Sequence, residues 1–120
     1  MNKIPLTCTV EISYPGAVIT KNHYKYKGGI HTKPEATAWM EELGWSIKEL
    51  HLEDWSLPLS ITVSGRFKDK RSQPDLVNLQ NCTLDAIQEA SGINDKHFRW
   101  HDGTVEYGEP PVIWLNISEG

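Results

Sequence analysis

Long apolar runs are missing from this chain. No stretch approaches the roughly 20 apolar residues that a membrane-spanning helix needs. Met1 to Leu6 is too short and too polar for a secretory signal. Cysteine is scarce. Cys8 and Cys82 stand far apart, which argues for free thiols in a reducing compartment and against a disulfide framework. The expected location is cytoplasmic, and the sequons at Asn81 and Asn116 are then accidental. There is no internal repeat, low-complexity segment or linker, so the chain is expected to be one domain over residues 1–120. Basic charge is also short: 12 Lys and Arg face 16 Asp and Glu, a formal net charge of −4. That balance does not announce a nucleic-acid binder, but a local basic patch can steer a polyanion on an acidic protein.

Alternation and helical spacing supply the elements. From Thr7 to Tyr14, Cys8, Val10, Ile12 and Tyr14 share one face, which predicts a half-buried strand ended by Pro15-Gly16. Ala17 to His31 reads as a loop. Thr32 to Leu50 predicts a helix, with Thr32 as N-cap, Pro34 in the first turn and Glu35 at the capping-box position. Ala36, Trp39, Met40, Leu43, Ile47 and Leu50 form its apolar stripe. Leu57 to Lys68 is the clearest strand, with one face for helices and one for water or a ligand. Asp75 to Ala90 predicts a second helix closed by Gly92. Lys96 to Trp100 suggests a short strand, and Val112 to Ile117 a last one. The expected fold is α/β or α+β, a mixed sheet of about four strands packed by two helices.

The second helix and its flanks carry the candidate chemistry. Asp75 follows Pro74 where the helical pattern begins, so it is either a helix cap or a ligand. Asn78, Asn81 and Asp85 line one helix face, as a solvated surface or as part of a site. Asp95 follows the helix by a short turn, and a returning strand would run back alongside. Two aspartates and an amide oxygen suffice for Mg²⁺, or Mn²⁺, which take oxygen ligands and keep several waters. Asp75, Asp95 and Asn78 are therefore the candidate metal ligands. Asp85 lies about 15 Å further along the helix than Asp75 and is read as a structural or supporting acid, with ligation the lesser alternative. His97 and His101 sit in a strand-and-turn segment, unsuited to a helical zinc pair.

The segment PDLVNLQNCTLDAIQEASGINDKHF resembles the signature of the RusA family of Holliday junction resolvases. Pro74, Asp75, Asn78, Leu79, Asp85, Ala86 and Ile87 fall into its pattern. Asn94-Asp95 takes the place of its paired acids, and Phe98 that of the hydrophobic residue that follows. The stretch YPGAVITKNHYKYKGGIHTKPEATAWMEEL is similar to the family's first loop and helix, and VEYGEPPVIWLNISE to its closing segment. The resemblance implies a small α/β domain that pairs into a homodimer, binds branched DNA and cuts it with Mg²⁺. The aspartates holding the ion would be Asp75 and Asp95, the expected catalytic residues. The chain departs from the pattern at Val77, where a third acid is common, and at Asn81, where a lysine is common.

Three functions follow as expectations. The first is an Mg²⁺-dependent endonuclease resolving branched DNA by phosphodiester hydrolysis. The second is a RusA-like DNA-binding protein with weakened or absent catalysis. The third is an interaction domain that keeps only the fold. For DNA contact, Arg66, Lys68, Lys70 and Arg71 lead into Asp75, and Lys21, Asn22 and Lys25 interleave with Tyr24 and Tyr26.

Overall fold

Four strands form one mixed sheet in a computed structural model that describes residues 4–21, 23–26 and 31–119. The elements are β1 (Thr7–Ser13), α1 (Pro34–Leu50), β2 (Leu59–Phe67), α2 (Gln80–Ser91), β3 (Phe98–Tyr107) and β4 (Val112–Glu119). The spatial order is β1-β4-β2-β3; β4 runs antiparallel to both neighbours, and β2 and β3 are parallel. Two crossovers, β1-α1-β2 and β2-α2-β3, result, and the two helices pack against each other. This is the expected α+β fold.

Alternation along the strands decides which face is covered. Leu59, Ile61, Val63 and Phe67 of β2 and Ile113, Leu115 and Ile117 of β4 are fully buried, together with Leu43 and Ile47 of α1 and Leu79 and Ile87 of the second crossover. Phe67 also meets the Tyr14 ring edge-on, with centroids 5.0 Å apart at 88°. The opposite face carries Ser60, Thr62, Ser64 and Arg66 of β2, with Trp114 and Asn116 of β4, all half-buried. Trp114 thus lies opposite Ile113 and Leu115, as the alternation predicts.

Three local expectations change. Helix α1 starts at Pro34 with Lys33 at the N-cap and no side-chain cap. Thr32 is instead paired with Lys25 in an isolated β-bridge, an extended conformation that delays the helix. The second helix does not begin at Asp75. A 3-10 segment, Leu76–Leu79, precedes α2, and Asp75 sits at its N-cap without a side-chain hydrogen bond. Finally, β3 does not stop at Trp100 but continues to Tyr107. The residues His101-Asp102-Gly103 look like a turn in sequence. Pairing with β2 carries the strand through them, with a register shift between Val63 and Gly65. Gly103 is required there, since a Cβ would come within 2.9 Å of the Val63 carbonyl.

Chain direction places the loops. β1, β2 and β3 all end, and β4 begins, at one end of the sheet. Both crossovers leave from that end.

Candidate nucleic-acid interface

The connection from β1 to α1 lies against the start of the second crossover. The Lys21 amide donates to the Asn78 carbonyl at 2.7 Å, and the Asn78 amide to the Asp75 carbonyl at 2.9 Å. Further along, the Tyr24 hydroxyl donates to Asp85 Oδ2 at 2.8 Å, and Lys25 Nζ lies 3.9 Å from the same oxygen. Lys25 also sits 5.4 Å from the centre of the Tyr24 ring. Burial, then the Asp85 hydrogen bond and charge, push the Tyr24 phenol well above its ordinary range. Asp85 is thus engaged by the basic loop and holds it to α2. Asn78 is half-buried on the same side and Asn81 exposed. Asn22 lies outside the described residues.

At the same end, β2 runs into a tight turn. The Ser72 amide donates to Asp69 Oδ1 at 2.8 Å, and the Gln73 amide to the Lys70 carbonyl at 3.4 Å. The Ser72 hydrogen bonds hold the Asp69 carboxyl below its usual range. The turn therefore has a fixed form and presents Lys68, Lys70 and Arg71 to solvent. Among the described residues, none of these three is in an ion pair. Tyr107, at the end of β3, donates its hydroxyl to Gln73 Oε1 and ties the turn to the sheet.

Arg66 is placed differently. Its Nε donates to the Pro110 carbonyl at 2.8 Å, its Nη1 lies 3.8 Å from Glu106 Oε1, and its guanidinium lies 5.6 Å from the Trp114 ring centre. It is spent on the uncovered sheet face and is not available beside Lys68 as the sequence suggests.

Asp75 and Asp95 are not brought together. From Leu76 to Gln88 the axis of the 3-10 segment and helix runs about 20 Å. The Asp95 amide donates to Gln88 Oε1 at 2.8 Å, so Asp95 belongs to the far end. A returning strand does run back along α2. It starts at Phe98, after Asp95, and what it delivers to the Asp75 end is Tyr107. Ligand oxygens on one Mg²⁺ lie about 2.0–2.1 Å from the ion, so these two carboxylates within one chain do not fit a shared ion. Among the described residues, no group of three or more His, Cys, Asp or Glu is placed to hold a metal.

The helix surfaces are acidic, while the loop end carries both signs, with Asp69, Asp75, Glu106 and Glu109 exposed there beside its cations. Glu35, Glu41, Glu42 and Glu49 of α1 and Asp85 and Glu89 of α2 are set against a single Lys48 within these helices. Lys21, Lys68, Lys70 and Arg71 lie at the loop end. Lys96 and Arg99, both exposed near the start of β3 at the opposite end, carry no motif in the sequence. No local spacing signals the Tyr24–Asp85 contact either.

The loop end thus offers the exposed cations of a hydrogen-bonded turn together with Lys21, groups suited to phosphate oxygens. Among the described residues, no helix is long and apolar enough to cross a membrane. Comparison of the sequence with protein-family models and with curated proteins found no match.

Proposed function

We propose that this protein is a RusA-like DNA-binding protein that holds branched DNA through the loop end of its sheet and has lost Mg²⁺-dependent cutting. The observation that carries this reading is the fixed turn bearing Lys68, Lys70 and Arg71, unpaired among the described residues, at the same end as the docked Lys21 loop. A turn whose backbone is already hydrogen-bonded loses less chain freedom on meeting a phosphate backbone than a loose loop would. The acidic helices repel the same backbone, which disfavours DNA on the helix surface. In the homodimer that the resemblance implies, two such ends related by a two-fold axis would suit a four-way junction. The wide separation of Asp75 and Asp95, with Val77 and Asn81 in place of an acid and a lysine, supports binding in preference to hydrolysis.

The test is a synthetic four-way junction titrated at several salt concentrations, with duplex of equal length as competitor. Binding to the junction should be salt-sensitive and stronger than to duplex, because neutralised phosphates release counterions. Incubation with Mg²⁺ or Mn²⁺ should leave the junction uncut. Junction cutting that Asp75→Asn or Asp95→Asn abolishes would restore the hydrolase reading. No junction binding even at low salt would remove the DNA reading altogether.

A further inference from the structure

A cleft between α1 and α2 lies away from the basic turn and the sheet face, and its far part reaches the Lys25–Asp85 contact. We propose that it is a docking groove for a cationic amphipathic helix of a partner protein. The proposal does not depend on the DNA reading.

The cleft has a shallow floor because short residues face one another. A Cβ at Gly44 would stand 3.5 Å from the Ala90 Cβ, and Ala86 and Ala90 complete that side. The cleft is open to solvent along one side and has a volume of about 600 Å³. A second cavity of about 560 Å³ adjoins it, sharing Thr32, Met40 and Glu89 and extending past Asp85. Met40 and Trp45 supply apolar surface at the α1 rim, and Trp45 is 68% exposed, unusual for the largest side chain on a helix. From Thr37 to Lys48 the α1 wall is about 17 Å long, enough for roughly three turns of a docked helix.

Charge selects the occupant. Glu41 lines one wall and Glu89 the other, and neither is in an ion pair with a described residue. Asp85 lies further along, where Lys25 accompanies it. Lys48, 5.2 Å from the Trp45 ring centre, is the one cation among the described residues lining the first cavity. An apolar stripe at helical spacing would enter the floor and cover Trp45, while flanking Lys and Arg would meet Glu41 and Glu89. DNA and anionic lipid are repelled by the same carboxylates. A second copy is disfavoured too, since α1 and α2 would bring acids against acids.

The probe is a fluorescein-labelled synthetic helix with a Leu/Phe stripe and Lys/Arg flanks, followed by anisotropy. Its counterpart keeps the stripe and carries Glu flanks. The basic peptide should bind at least about tenfold more tightly than the acidic one, a difference of about 1.4 kcal/mol. The double variant Glu41→Gln/Glu89→Gln should bind the basic peptide about tenfold more weakly and with a flatter salt dependence, at an unchanged urea midpoint. Trp45→Ala should weaken both peptides. Equal binding of the two peptides would overturn the proposal. So would undiminished binding by the double variant, or amide shift changes on titration confined to residues away from Met40, Trp45, Ala86 and Ala90. Sedimentation of the protein alone should show no self-association through this cleft; an oligomer that Trp45→Ala dissociates would assign the groove to a second copy instead.

Discussion

The hydroxyl of Tyr24 donates a 2.8 Å hydrogen bond to Asp85 across 61 positions of chain. It joins the loop after β1 to the middle of α2. Tyr24 is itself buried, so this contact helps fix the basic loop, alongside the Lys21–Asn78 hydrogen bond.

Removing that hydroxyl tests the link. Tyr24→Phe should cost about 1–2 kcal/mol, the scale of a hydrogen bond to a partly exposed charged acceptor. Asp85→Asn keeps an acceptor and should cost less than about 1 kcal/mol. Urea unfolding of the two single variants and the double variant gives the coupling. Additive effects would show that the bond contributes nothing to loop placement.

Two glycines should respond with opposite signs. At Gly103 a Cβ meets the Ser64 side chain and lies 2.9 Å from the Val63 carbonyl, so Gly103→Ala should lose about 1–3 kcal/mol. At Gly44 the nearest atom is an ordinary contact at 3.5 Å within a helix, so Gly44→Ala should gain about 0.5–1 kcal/mol. Thermal midpoints read both changes.

Alkaline pH should destabilise the fold through Cys82 and Tyr24. Burial pushes the Cys82 thiol from 9.0 up to about 12, with the Asp85 charge adding to it. Well below pH 9 both states keep this thiol protonated, and stability is flat. Above it, the unfolded thiol ionises while the folded one stays protonated, so stability falls by at most about 1.4 kcal/mol per pH unit. The Tyr24 phenol, raised from 10.0, adds the same sign of slope from about pH 10. Denaturant midpoints between pH 8 and 11 should fall accordingly. Cys82→Ala should be less stable at neutral pH but show a shallower alkaline decline. In the folded protein a thiol reagent should label half-exposed Cys8 and spare Cys82.

The basic turn and Arg66 should separate in their effects. Replacing Lys68, Lys70 and Arg71 by Gln should leave the urea midpoint within about 0.5 kcal/mol. It should flatten the logarithmic salt dependence of junction binding by up to about 3. Arg66→Gln loses the Pro110 hydrogen bond and the Trp114 contact, so it should lower stability while the salt slope stays put. A reversed pattern would move the DNA contact to the sheet face.

Much of the architecture is written in local periodicity. The alternation around Val10 and Ile12, along Leu59 to Phe67 and along Val112 to Ile117 records one covered face per strand. The recurrence of Ala36, Trp39, Leu43 and Ile47 records one covered helix stripe. These patterns depend only on which side of an element loses water, a property each segment carries alone. Strand β3 was half hidden, because Gly103 looks like a turn and only the parallel neighbour β2 holds the chain extended through it. The site depended on chain direction. Asp75 and Asp95 are neighbours in a motif, but a rigid helix between them sets their separation, and the strand that returns begins after Asp95. Spacing in sequence carries no sign of which ends meet. Tyr24 with Asp85 and Tyr107 with Gln73 come together because three strands finish at one end of the sheet, and only tertiary packing could decide that.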